Sequence, residues 1–247
     1  MELFDVAWTD ADEADTNLAV LPVGSTEQHG PHAPLGTDIL TAEAVASAGV
    51  TAYDGTAVVA PPIPVGVSAE HRQFTGSLWV SEETFRAYVG ETVESLASHG
   101  WDRVVVVNGH GGNVPALREL CGRLTREETA YAVPFTWFDA VALAELGTAM
   151  GHGGAAETAL LRHYRPELVA TERLDAAGDA AAERWGDWQS GVNLAYDTAE
   201  FAPNGVVGDP RESSAGLGEQ LLEAAGDALA ELLAAVENRE LSRPPHR

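Results

Sequence analysis

The 247-residue chain contains no lysine. All 14 basic residues are arginine, set against 38 acidic ones, and the formal net charge is −24. A surface this acidic repels polyphosphate and anionic lipid, which argues against nucleic acid or a charged membrane as a partner. Cysteine is almost absent as well. Cys121 stands alone, so an intrachain disulfide is excluded, in keeping with a reducing cytoplasm. No apolar run approaches the ~20 residues needed to span a bilayer. The start of the chain, Met1-Glu2-Leu3-Phe4-Asp5, lacks the basic stretch and apolar core of a signal peptide. The expectation is a cytoplasmic protein. Disorder is excluded too, because the acids are spread along the chain and 45% of residues are hydrophobic. An evenly acidic surface without lysine suits a cytosol with molar salt, where the Debye length falls to ~3 Å and self-repulsion is screened. The composition points to a halophilic source.

What is present is an alternation of strand-length apolar runs and amphipathic stretches. Leu18–Val23 reads as a first strand, with Thr37 placed to cap a helix over Ile39–Ala48. Ala57–Ala60 reads as a second strand, stopped by Pro61-Pro62. Ser81 is a good N-cap, followed by Glu82 and Glu83 where the helix dipole favours acids. Phe85, Val89, Val93 and Leu96 then share one face, and Gly100 ends the helix. Val104–Val107 is an unbroken β-branched run, as in a central parallel strand buried on both faces. A helix over Val114–Leu124, a strand over Ala130–Phe135, and helices over Glu157–Tyr164 and Gly216–Val236 complete the pattern. The spacing predicts one α/β domain, a three-layer α/β/α sandwich around a mostly parallel sheet. Residues 174–214 are less regular and read as a lid, an insertion or an oligomer contact. Ser242–Arg247 reads as a frayed tail.

Three clusters carry candidate chemistry. Glu27, His29, His32 and Asp38 fall within twelve residues directly after the first strand, braced by glycines and prolines. Glu27 and His29 are two apart, so on extended backbone they point the same way. His110 sits in Asn108-Gly109-His110-Gly111-Gly112-Asn113, after the valine strand, where glycines permit a sharp turn and close approach to a ligand. His152-Gly153-Gly154-Ala155-Ala156-Glu157 is the third. Taken singly, each is as well explained by a surface or loop-bracing role. Convergence is the argument: the carboxyl ends of parallel strands line the crevice of an open α/β sheet, and mixed imidazole and carboxylate is a metal-binding set.

These residues match a family. The chain resembles the creatininase, or creatinine amidohydrolase-like, family over Leu21–Asp38 (LPVGSTEQHGPHAPLGTD), Gly66–Ser77 (GVSAEHRQFTGS), Asn108–Asn113 (NGHGGN), His152–Thr158 (HGGAAET) and Gly205–Pro210 (GVVGDP). The resemblance implies an α/β sandwich, a homo-oligomer that is often a hexamer, and two divalent metal ions (Zn, Mn or Fe) per subunit. On the family pattern Glu27 and His110 hold one metal, His29 the other, and Asp38 bridges them. His152 matches the proton-transferring histidine. Creatininase proper carries a further glutamate ligand two residues after the histidine of the glycine turn. Gly112 stands there in this chain, and Glu157 is the candidate to supply the missing carboxylate, as a ligand or from behind one. Ser68, His71 and Gly111 fall in segments that contact substrate in the family.

The implied activity is hydrolysis of a C–N bond in a small cyclic amide or formamide, with hydroxide generated on the metals as nucleophile. Creatinine itself is disfavoured, because the Trp-Asp pair that precedes the catalytic histidine in creatininase is Thr148-Ala149 here. Two other branches remain open. One is a formamidopyrimidine-nucleotide deformylase, for which Arg72 or Arg211 would meet phosphate, and the other is a mycofactocin-precursor peptidase. A metal-binding regulatory or structural protein is the non-enzymatic alternative.

Overall fold

The computed structural model describes residues 1–241; the tail expected at Ser242–Arg247 lies outside them. Four strands, β1 (Leu18–Val23), β2 (Val58–Val59), β3 (Arg103–Asn108) and β4 (Tyr131–Thr136), form one sheet in the order β2-β1-β3-β4, with every neighbouring pair parallel. The helices are α1 (Trp8–Asp12), α2 (Thr37–Ala52), α3 (Glu82–Ser98), α4 (Val114–Arg126), α5 (Trp137–Ala140), α6 (Ala155–Tyr164), α7 (Leu174–Asp179) and α8 (Ala215–Glu237). A short antiparallel hairpin, β5 (Trp188–Gln189) and β6 (Val192–Asn193), stands apart from the sheet.

Strand alternation divides the core into two. Leu18 and Val20 of β1, with Val105 and Val107 of β3, pack against Val45, Leu160, Leu221 and Leu229 from α2, α6 and α8. Ala19, Leu21, Val104 and Val106 turn to the other side and meet Phe85, Val89, Leu117 and Leu120 of α3 and α4. Helices therefore cover both faces of the sheet, and Val104–Val107 is fully buried, as its unbroken β-branched run requires. This is the expected three-layer sandwich. Pro22 sits inside the interior strand β1 without penalty. Its carbonyl accepts from Ile63, so its missing N–H would point to the side where β2 has already ended at Val59.

Two local expectations change. Ser81 caps α3 as predicted, accepting from the Thr84 amide at 3.2 Å. Thr37 does not cap α2. It is the first helical residue, and its hydroxyl donates to the Pro34 carbonyl at 2.7 Å, leaving Gly36 as the cap. Residues 174–214 are also less irregular than they read. They hold α7, the hairpin and two short 3-10 turns, and Val206–Val207 pairs back onto Ala182 and His152. Among the described residues, no helix is long and apolar enough to cross a membrane.

Candidate metal centre

The loops leaving β1 and β3 carry most of the site. Glu27 and His29 follow β1, Asp38 lies in the first turn of α2, and His110 follows β3. Glu157 lies in the first turn of α6, and its Oε2 accepts from the Gly153 amide at 2.7 Å. Both helix N-termini thus favour a carboxylate where one stands. Asn113 ties the loops together. Its side-chain amide donates to the Gly24 carbonyl after β1 and to Asn108 at the end of β3, while its oxygen accepts from the Val67 amide.

The ligand-type atoms converge. His29 Nε2 lies 2.9 Å from Asp38 Oδ1 and 3.7 Å from Glu157 Oε2. His110 Nδ1 lies 3.1 Å from Asp38 Oδ2 and 3.2 Å from Glu27 Oε1. Three groups result, Glu27–Asp38–His110, His29–His152–Glu157 and Glu27–His71–His152, with Asp38 facing both His29 and His110. All are buried; Glu27 and His29 are fully inaccessible. The back nitrogens of the two facing imidazoles are occupied. His29 Nδ1 contacts the Glu27 carbonyl at 3.2 Å, and His110 Nε2 contacts the Val67 carbonyl at 2.7 Å. A carbonyl can only accept, so both outer nitrogens carry a proton in these contacts and the inward nitrogens are oriented for ligation.

Buried polar groups are ordinarily hydrogen-bonded, and here several are not. Both Glu27 oxygens, His29 Nε2 and Asp38 Oδ2 have no hydrogen-bond partner. Three carboxylates in a closed site demand positive charge. Burial opposes a charge on His29, but Asp38 and Glu157 outweigh it and hold the imidazole protonated well above the ordinary histidine range. Burial likewise opposes a charge on His110, and Glu27 with Asp38 overcome it. Burial alone would raise the Asp38 pKa, yet His29 and His110 hold it well below the usual carboxylate range. These orphaned, charge-hungry donors of nitrogen and carboxylate oxygen fit divalent cations.

A family model described as creatinine amidohydrolase matches residues 5–233. The chain belongs to the creatininase family. A mycofactocin precursor peptide peptidase of Mycobacterium ulcerans (strain Agy99) is 39% identical over 213 residues, covering 82% of this chain and 78% of that one. A creatinine amidohydrolase of Pseudomonas putida is 30% identical over 180 residues, covering 64% and 68%. A creatininase structure of Zn–Zn type agrees in fold, with a TM-score of 0.82 over 96% of this chain and 98% of that chain at 23% identity. The chain is a creatininase-family hydrolase. Both named relatives are bacterial, so the halophilic source rests on composition alone.

Within the creatininase frame, several expected residues land differently. At Gly112 an added Cβ would sit 2.2 Å from the Val67 carbonyl oxygen and 2.5 Å from His110 Nε2. A glutamate there would force the Val67 backbone to shift, and the Glu157 carboxylate approaches His29 from α6 instead. The glycine turn serves close approach rather than unusual backbone angles, since none of its glycines has positive φ. His152 does not follow a sheet strand. It comes from the loop before α6 and is fixed by reciprocal backbone hydrogen bonds with Val207. Ser68 lies outside the cavity lining; it is fully buried, accepts from Ser25 and donates to the Leu78 carbonyl. Gly111 and His71 do line the cavity. His32 stands behind the centre with Nε2 2.9 Å from Thr158 Oγ1. Gln28 and Trp185 are the residues that sequence reasoning passed over as site elements. Trp185, from the 174–214 segment, stands edge-on to His71 and His152 at 5.8 and 5.9 Å between ring centroids. Only a tryptophan in a glycine-rich stretch hinted at this.

Proposed function

We propose that the chain is a metal-dependent amidohydrolase that cleaves an amide C–N bond with two divalent cations. Glu27, Asp38 and His110 would hold one, and His29, Asp38 and Glu157 the other. The observation that carries the reading is Asp38, whose two oxygens face histidines from two different strand-end loops at 2.9 and 3.1 Å. The donor set suits Zn, Mn or Fe, and solved creatininases described as Zn–Zn and Mn forms favour the first two. Cations bound there supply water of lowered pKa and polarise the substrate carbonyl.

The chain's own residues handle the proton. His152 Nε2 lies 2.5 Å from the Gln28 carbonyl, so that nitrogen carries hydrogen and Nδ1 keeps a lone pair. Nδ1 faces the centre, 3.7 Å from Glu27 Oε1. Burial and the neighbouring His29 push the His152 pKa below its ordinary value, so the imidazole starts neutral. It accepts a proton from the attacking water at Nδ1 and returns it to the leaving nitrogen.

The amide is best read as part of a peptide. Relatives named mycofactocin precursor peptide peptidases support this. So does the cavity of about 660 Å3 above the centre, within the roughly 300–1,000 Å3 that encloses ligands far larger than a five-membered ring. A nucleotide phosphate is poorly served. Arg72 is paired with Asp197 and Arg211 with Asp209 and Asp179. The cavity wall carries Glu70, Glu183, Asp209 and Glu212 against Arg184.

The test is turnover on a panel of peptides, formamides and cyclic amides, with metal content measured in parallel. Chelation should abolish turnover, and Zn or Mn should restore it. His152→Ala should keep its metal and lose about 10²–10⁴ in kcat, with peptides hydrolysed in preference to creatinine. Turnover that survives complete metal removal refutes the mechanism. Metal bound without turnover on any panel member makes this a metal-binding protein and not an enzyme of this class.

A further inference from the structure

Gln28 lies between two proposed ligands, and its side chain turns away from them. Its Oε1 accepts from the Gly30 amide at 2.9 Å, and its Nε2 donates to the Gly205 carbonyl at 3.0 Å. These two contacts fix which end of the amide is which. Exchanging oxygen and nitrogen would set an oxygen against a carbonyl and an NH2 against an N–H. The remaining hydrogen of Nε2 is left for His71 Nδ1, 2.9 Å away. His71 Nδ1 is therefore an acceptor, and in the neutral ring the proton resides on Nε2. That nitrogen points inward and lies 3.3 Å from Glu27 Oε1, and neither atom has a hydrogen-bond partner.

The main-chain oxygen of the same residue holds the neighbouring ring. His152 stacks on His71 with centroids 4.3 Å apart and 20° between planes, and its Nε2–H rests on the Gln28 carbonyl. Both rings are thus Nε2–H tautomers, but they are turned differently. His71 presents its N–H to the centre, whereas His152 presents its lone pair.

We propose that Gln28 is a positioning residue that turns the N–H of His71 toward Glu27 and leaves the stacked His152 as the base. This excludes His71 as a ligand of a further cation with Glu27 and His152, although its ligand-type atom lies within 4.8 Å of theirs. A ligand must offer a lone pair, and the inward nitrogen of His71 has none. The role of His71 is to orient Glu27 by the N–H it presents to that carboxylate. The inference rests on the proposed metal-dependent reading for its affinity test, and its tautomer test is independent of it.

Two measurements decide. Long-range 1H–15N spectra of the metal-free wild-type protein should show His71 and His152 both protonated at Nε2. A proton on His71 Nδ1 overturns the proposal, whether or not the protein binds metal. Zinc affinity, by competition with a chromophoric chelator, should fall about 10–100-fold in His71→Ala, the usual cost of losing a residue that orients a ligand. His71→Gln, which can still offer an N–H to Glu27, should recover most of that loss. Gln28→Glu, which has no N–H for Nδ1, should move the His71 proton to Nδ1 and weaken zinc binding like His71→Ala. Unchanged zinc affinity in His71→Ala overturns the orienting role. Wild-type protein that binds no zinc counts against the metal reading instead and leaves the spectra to decide the tautomers.

Discussion

In the metal-free protein His29 and His110 hold protons that a cation must displace. Each imidazole is buried between carboxylates that raise its pKa well above the ordinary histidine value. Both are therefore protonated at neutral pH, and His29 Nε2 and His110 Nδ1 must lose hydrogen to become ligands. The bound state carries fewer protons than the free state, so raising the pH favours binding. Zinc affinity should rise with pH through the neutral range, by up to about tenfold per pH unit for each proton released. Calorimetry in buffers of different ionisation enthalpy counts the protons directly. A count of zero near pH 7 would show that the histidines are already neutral and that the carboxylates do not control them. Glu27, His29 and Asp38 were legible as candidate ligands because they crowd one strand-end loop in a short stretch of sequence, and His110 because it stands in a glycine turn after a buried strand. The placement of Glu157 was half legible, since Gly112 left a carboxylate to be found, and α6 brings one to 3.7 Å from His29.

α6 owes its position to α8, and the two cross in backbone contact. At Gly218 of α8 an added Cβ would lie 1.9 Å from the Ala159 carbonyl oxygen and 2.9 Å from His163 Cβ. Replacing glycine by alanine inside a helix ordinarily stabilises by roughly 0.5–1 kcal/mol. Gly218→Ala should do the reverse and cost about 1–3 kcal/mol, because backbone must shift to admit a methyl. Gly216, earlier on the same helix, has open space where a methyl would go, with nothing within 4 Å, so Gly216→Ala serves as the control. Urea midpoints would compare them, and a Gly218→Ala protein as stable as the control would show that the crossing is loose. At this scale local periodicity was a good guide. Phe85, Val89, Val93 and Leu96 are all buried as one face of α3. Contacts made across long sequence distance left no such period. The bonds from His152 to Val207, from Gln28 to Gly205 and from Asn113 to Gly24 join loops that look unrelated along the chain.

Charge acts on the molecule as a whole. Even if each of the 14 arginines neutralised one acid, 38 − 14 = 24 acids would remain. The ion pairs that do form on the surface, such as Arg123 with Glu119 and Glu127, are well exposed, and pairs of this kind contribute about 0–1 kcal/mol each. Repulsion among the surplus acids therefore outweighs attraction, and salt should help more than it harms. Screening shortens from about 10 Å at 0.1 M ionic strength to about 3 Å at 1 M. The buried centre, by contrast, is little affected, since buried charge pairs are screened far less than exposed ones. The melting temperature should rise steeply with KCl up to about 1 M and then level off. A flat or falling curve would overturn the halophilic reading of the composition. Sodium sulfate separates screening from the general strengthening of apolar burial by excluded salts. At equal ionic strength below 1 M, equal stabilisation by the two salts is the signature of screened self-repulsion. A clear excess for sulfate would mean that burial, and not charge, is what the salt improves.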